Sequence, residues 1–213
     1  MQQGYSSEEQ EAWFASLRDL LEPAYLAGKQ PWQQSGFGLH TPRTLEAWEA
    51  HRRPIAAALD RSGSFLDVGC ANGYLLECLL RWASECGLTL DPYGVDFAPG
   101  MVALARERLP QYVDRLYLAN AWEWTPPRRF TFVRTELVYV PESLYVPYLT
   151  RLLTDYLEPG GRLLVVEYRT RENNAPELTI DREVAALGFP VARVTTGEWD
   201  GREVTRVAVV EWA

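Results

Sequence analysis

Lysine is almost absent from this chain: Lys29 is the only one in 213 residues, and arginine carries the rest of the positive charge. Acidic residues outnumber basic ones, for a net charge of −8. That balance disfavours non-specific attachment to nucleic acid, which depends on lysine and arginine neutralising phosphates. Basic partners or small molecules fit better. Cysteine is scarce too. Cys70, Cys78 and Cys86 fall eight residues apart, match no zinc-knuckle or CxxC spacing, and by their odd number speak against a disulfide framework. They read as reduced, packed thiols, and no metal site is expected. Long apolar runs are missing as well: no stretch of eighteen uncharged apolar residues occurs. The opening MQQGYSSEEQ is polar and acidic, unlike an export signal. The expectation is a soluble cytoplasmic protein with no membrane partner.

What is present is core material. A hydrophobic content of 47% in 213 residues supplies one ordinary globular domain. Residues 1–60 read as a helical extension or lid. In SSEEQEAWFASLRDLL, Trp13, Phe14, Leu17, Leu20 and Leu21 share one face, with Ser6 or Ser7 as cap. A second helix, HTPRTLEAWEAHRRPIAAAL, is expected to be capped by Thr41 with Pro42 at its first position, and kinked or split at Pro54. The aromatic, glycine-rich stretch between them has no periodicity and reads as a loop. There Trp32 and Phe37 are candidates to line a lid and His40 a candidate to face a ligand. His51, followed by two arginines, reads as a surface group.

Residues 61–213 alternate strand and helix. SFLDVG, YGVD, RLYLAN, FTFVRT and RLLVVEY are strand-like. The first is followed by a helix with Leu75, Leu76, Leu79, Leu80, Ala83 and Cys86 on one face, ended by Gly87. Helices are also read in APGMVALARERLP, ESLYVPYLTRLLTDYLEPGG and ELTIDREVAALG. Such alternation implies right-handed crossovers and a mostly parallel sheet buried on both faces. The end departs from this rhythm: VARVTTGEW and REVTRVAVVEW flank Asp200-Gly201, a pair that favours a tight hairpin.

The turn FLDVGCANGYLL carries the chemistry. A phosphate loop needs GxxxxGK[ST], yet no lysine or hydroxyl follows Gly69 at the required places. A dinucleotide fingerprint needs three glycines, and its positions hold Gly69, Ala71 and Tyr74; the tyrosine would crowd a pyrophosphate. What remains is strand–Asp–x–Gly–x–Ala–x–Gly. A second signal lies 27 residues after Gly69, where Asp96 ends the next strand. There a carboxylate can accept hydrogen bonds from both hydroxyls of a ribose.

Asp67, Gly69, Cys70, Ala71 and Gly73 together resemble motif I of the class I S-adenosylmethionine-dependent methyltransferases. The resemblance covers about residues 60–213. It implies an α/β, Rossmann-like doubly wound sheet of seven mostly parallel strands with a C-terminal antiparallel hairpin, and S-adenosyl-L-methionine as cofactor. Ala71 replaces the usual middle glycine. By the same resemblance Asp96 holds the ribose, Phe97 and Met101 border the adenine, and Asn120, Ala121 and Trp122 follow the third strand. Arg134 completes the implied cofactor set. Thr131 stands where the family often has aspartate. Glu136, at the exit of the fourth strand, is the candidate general base, and Tyr139 the residue to orient an acceptor. No NPPY, DPPY or Pro-Cys motif points to a nucleobase acceptor. A small-molecule acceptor is therefore the leading expectation, ahead of a protein or RNA partner and of a non-catalytic cofactor-binding module.

Overall fold

In the computed structural model, residues 6–36, 44–169 and 177–211 are described. Seven strands form one sheet: β1 (Gly63–Val68), β2 (Leu90–Asp96), β3 (Leu116–Leu118), β4 (Phe130–Thr135), β5 (Leu157–Tyr168), β6 (Val191–Trp199) and β7 (Arg202–Glu211). Their order is β3-β2-β1-β4-β5-β7-β6. The first five pair in parallel, whereas β7 runs antiparallel to both β5 and β6. Asp200 and Gly201 both take positive φ, as a tight hairpin turn requires. This is the doubly wound sheet expected from the alternation, closed by the expected hairpin. In such sheets ligands settle beyond the carboxyl ends of the strands, where the winding reverses. That point lies between β1 and β4.

The central strands are apolar because both faces are covered. Phe65, Leu66, Val68, Phe130, Phe132 and Val133 are all buried, each contributing about 1.5–3 kcal/mol by leaving water. On one side lies α3 (Tyr74–Glu85), whose buried stripe is Leu75, Leu76, Cys78, Leu79, Trp82 and Ala83. Cys86, assigned to that stripe from spacing, is exposed, because the helix ends there and the chain turns at Gly87 with φ +74. α4 (Pro99–Arg108) follows β2. The stretch read as one long helix after β4 is three pieces: a 3₁₀ turn over Glu142–Leu144, α5 (Tyr145–Arg151) and a π-helical turn over Leu152–Tyr156. A short α6 (Ile180–Ala186) precedes the hairpin.

The amino-terminal segment contributes α1 (Ser7–Leu26) and α2 (Leu45–Ala57). Ser6 caps α1 in a reciprocal box with Glu9. Of the face expected on α1, Phe14 is buried, but Leu20 is 59% exposed. Thr44 caps α2 through the amide of Ala47; Thr41 and Pro42, expected in that role, lie outside the described residues, as do Phe37 and His40.

Pro54 does not split α2, since it sits in the last turn. Proline has no N–H to give to the carbonyl four residues back, that of Ala50, and other carbonyls of α2 bond to the hairpin. Thr205 donates its hydroxyl to His51 O and Thr195 to Pro54 O, both at 2.7 Å. Gly197 of β6 packs so close that an added Cβ would stand 2.5 Å from Ala50 O. This docking buries His51, which is only 4% exposed and has Nδ1 2.7 Å from Ala47 O. The expected surface histidine is a core residue.

Candidate active site

A cavity of about 320 Å³ opens at the carboxyl ends of β1, β2 and β4. Its floor is the turn after β1. Gly69 has φ +74 and Ala71 φ +46. Ala71 thus stands in the left-handed region that glycine occupies at little cost, an arrangement costing an alanine roughly 1–2 kcal/mol. Cys70 is buried behind the turn, and burial pushes its thiol well above the ordinary range. It is filler, as its apolar surroundings dictate. Gly73, also at positive φ, caps α3 and does not line the cavity; an added Cβ there would meet Ala105 and Leu109. Asn72 is wholly buried. Its side chain accepts from Tyr74 N at 3.2 Å and donates to Pro31 O at 3.0 Å, fastening the amino-terminal segment to the turn.

Asp96 closes β2 beside the turn. Its Oδ2 accepts from Ala71 N and its Oδ1 from Ala98 N, both at 2.9 Å. Each oxygen keeps a further lone pair for a ligand. Burial pushes Asp96 up to about 6 against the pull of those amides. Phe97 and Met101 line the same side of the cavity, and Ala119, Asn120, Ala121 and Trp122 border it beyond β3. Asn120 Oδ1 accepts from Trp122 N at 3.0 Å, which shapes that loop. Thr131, by contrast, lies at the opposite end of the sheet, where its hydroxyl accepts from Ser64 N at 3.1 Å.

The opposite wall is ionic. Asp67 and Arg134 are register neighbours on β1 and β4, so their side chains leave the same face of the sheet. Arg134 Nη1 donates to Asp67 Oδ1 at 3.3 Å and to the Tyr139 hydroxyl at 2.7 Å. Its Nη2 donates to Glu136 Oε1 and, at 3.1 Å, to the Tyr168 hydroxyl. Tyr139 in turn donates to Glu136 Oε1 at 2.6 Å. Asp67 is completely buried, and its Oδ2 has no hydrogen-bond partner among the described residues. Burial therefore lifts it to about 7 even beside Arg134. Burial likewise raises Tyr139 well above the ordinary phenol range. It stays a neutral phenol whose hydroxyl donates to Glu136.

The remaining wall comes from α1 and from residues that the sequence reading did not place at the site. Phe14, Leu17, Leu21, Glu22 and Tyr25 of α1 face the cavity, and Glu22 accepts from Gly100 N at the start of α4. Arg52, Tyr148 and Tyr168 complete it. The spacing of Phe14, Leu17 and Leu21 was a signal for the helix face; nothing local marked Tyr168 or Arg52. Trp32 packs against the core beside α3 instead of lining the cavity. Among the described residues no cluster of metal-ligating side chains occurs.

The donor set suits a cationic, phosphate-free nucleoside. An orphaned buried carboxylate oxygen on Asp67 calls for an ammonium or another donor, and Asp96 offers lone pairs at the strand end beside it. No lysine lines the cavity to meet a phosphate.

Comparison with known proteins bears on the family and the fold. The profile of a family described as Methyltransferase domain matches residues 40–192. A trans-aconitate 2-methyltransferase of Rhodopseudomonas palustris is 36% identical over 106 residues, covering 48% of this chain and 38% of the relative. A tRNA U34 carboxymethyltransferase of Azotobacter vinelandii is 31% identical over 148 residues, covering 66% of this chain and 44% of the relative. The chain thus spans under half the length of the curated relatives it matches. Among solved structures, the 1,6-didemethyltoxoflavin-N1-methyltransferase of Burkholderia thailandensis, holding 1,6-didemethyltoxoflavin and S-adenosylhomocysteine, superposes with a TM-score of 0.67. It is 16% identical and covers 100% of this chain and 93% of that one.

Proposed function

The chain belongs to the Methyltransferase domain family, and from that premise we propose that it transfers a methyl group from S-adenosyl-L-methionine to a small-molecule acceptor. The observation that carries this reading is the bracket of the Gly69–Gly73 turn between Asp67 and Asp96, one with an unused buried oxygen and the other bonded to Ala71 N. Asp96 holds the ribose hydroxyls, Asp67 meets the ammonium end, and Phe97, Met101 and the Asn120–Trp122 loop border the adenine. Arg134 fixes Asp67, Tyr139 and Glu136 in place. When bound, the cofactor supplies an electrophilic methyl carbon on a sulfonium, so alignment and exclusion of water are the protein's main tasks.

Glu136 accepts the acceptor's proton, and the neutral Tyr139 hydroxyl beside it orients the attacking atom. Residues 1–60 serve as a lid over residues 61–213, a role supported by the α1 side chains that face the cavity. Three free thiols favour a reducing compartment, the cytoplasm. No helix of the described residues is long and apolar enough to cross a membrane.

The Azotobacter relative favours a second reading, an RNA acceptor. Against it stand the net charge of −8 and the carboxyl groups at the cavity. Thermal unfolding with ligands tests the proposal. S-adenosylhomocysteine at a hundred times its dissociation constant should stabilise the fold by roughly 2.7 kcal/mol, and NAD should do nothing. No response to S-adenosylhomocysteine would sink the reading. Binding without methyl transfer to any acceptor would leave a cofactor-binding module.

A further inference from the structure

We infer that the acceptor is an uncharged, largely apolar molecule that carries no carboxylate or phosphate. The inference rests on the methyltransferase reading and narrows it to a substrate class. Outside the nucleoside side, the cavity walls are mainly hydrocarbon and aromatic: Phe14, Leu17 and Leu21 from α1, Val138 and Val140 from the loop after β4, and Tyr148 behind them. Such walls favour apolar bodies and leave a buried charge without solvation.

The ionic groups point the same way. Four carboxyl groups face the cavity, those of Glu22, Asp67, Asp96 and Glu136, against the two guanidinium groups of Arg52 and Arg134. Arg134 directs both Nη atoms to its own chain, to Asp67, Tyr139, Glu136 and Tyr168. Arg52 lies with its guanidinium carbon 3.6 Å from the Tyr168 ring centroid, and its Nη2 donates to Ser35 O at 3.4 Å. An added Cβ on Gly36 would stand only 2.5 Å from that Nη2. Arg134 is thereby built into the wall, Arg52 is stacked on Tyr168, and carboxyl groups outnumber the two cations. The site suits one net positive ligand, the cofactor, and repels a second ligand that is anionic. An acceptor resembling trans-aconitate, a tricarboxylate, is thus not expected to bind here although a relative is named for it.

Calorimetric titration of the protein saturated with S-adenosylhomocysteine decides the matter with size-matched pairs. The probes are 4-methylphenol against 4-methylbenzoate, 2-naphthol against 2-naphthoate, and trans-aconitate alone. In at least one pair the phenol is expected to bind ten times or more tighter than its carboxylate, with no heat from trans-aconitate. The Glu136→Gln variant should narrow that gap by raising the carboxylate's affinity. Carboxylates binding as tightly as the phenols, binding of trans-aconitate, or no binding by any probe while S-adenosylhomocysteine saturates the site would overturn the inference and leave the methyltransferase reading standing. Failure of S-adenosylhomocysteine itself to bind would remove both.

Discussion

The phenol ring of Tyr139 rests on Gly69, so close that a methyl group built on the glycine would stand 2.6 Å from a ring carbon. The loop after β4 and the turn after β1 are in contact at a position where a side chain is missing.

Replacing Gly69 with alanine is therefore expected to destabilise the fold by roughly 2–4 kcal/mol, from the positive φ and the overlap together. It should also abolish the response to S-adenosylhomocysteine. Combining Gly69→Ala with Tyr139→Ala relieves only the overlap, so the two losses should be less than additive. Thermal unfolding of the four proteins measures this; strictly additive losses would show that ring and turn do not press on each other.

Asp96 is expected to govern cofactor affinity. Asp96→Ala should weaken binding of S-adenosylhomocysteine by on the order of 1.5–3 kcal/mol, the range for hydrogen bonds to a charged group. It should lower stability too, because Ala71 N and Ala98 N lose their acceptor. Titration calorimetry reads the first effect, and an unchanged affinity would take Asp96 out of the site.

Glu136→Gln separates chemistry from binding. With an acceptor in hand, turnover should fall by about 10²- to 10⁴-fold, while affinity for S-adenosylhomocysteine is kept. Equal turnover in the variant would leave Glu136 without a part in proton removal.

Asp67 gives the fold a pH dependence of definite sign. Burial lifts its carboxyl group to about 7 in the folded chain, well above the ordinary carboxylate range. Between about pH 4 and pH 7 the folded state therefore holds a proton that the unfolded state has released, and this group's contribution to stability falls as pH rises. Asp67→Asn does not titrate. Its melting temperature relative to the parent protein should climb across that window and level off above it. A difference that stays flat from pH 4 to pH 8 would mean that Asp67 is ionised throughout.

Gly197 tests the docking of α2. An alanine there meets Ala50 O and the Pro54 ring, and should cost roughly 1–3 kcal/mol of stability, read from chemical unfolding. A stability equal to the parent's would show that α2 gives way freely.

The residues of the sheet and turn were legible because their signals are local. FTFVRT is β4 end to end, and the Asp-Gly pair made its hairpin. The aspartate at the end of β1, the small residues after it and the second aspartate at the end of β2 meet because adjacent parallel strands bring their carboxyl ends together. The amino-terminal segment was harder. His51 looked solvated beside two arginines, yet α2 is enclosed between α3 and the hairpin, the latter more than a hundred residues away in sequence. Tyr168 and Arg52 escaped for the same reason, since each gains its place only when β5 and α2 converge on the cavity. Cys86 shows the converse error, for a regular spacing continued one residue past the end of its helix.

Among the polar side chains that stitch the leading stretch of the chain to the parts that follow, the Asn72 carboxamide holds Pro31 O and the Glu22 carboxylate holds the amide of Gly100. One of those stitches begins inside the glycine turn itself. Cutting away or transplanting the first 36 residues would thus strip partners from a wholly buried amide and from the opening turn of α4. A change in the leading segment is thereby felt at the turn after β1, since the two share the Asn72 carboxamide.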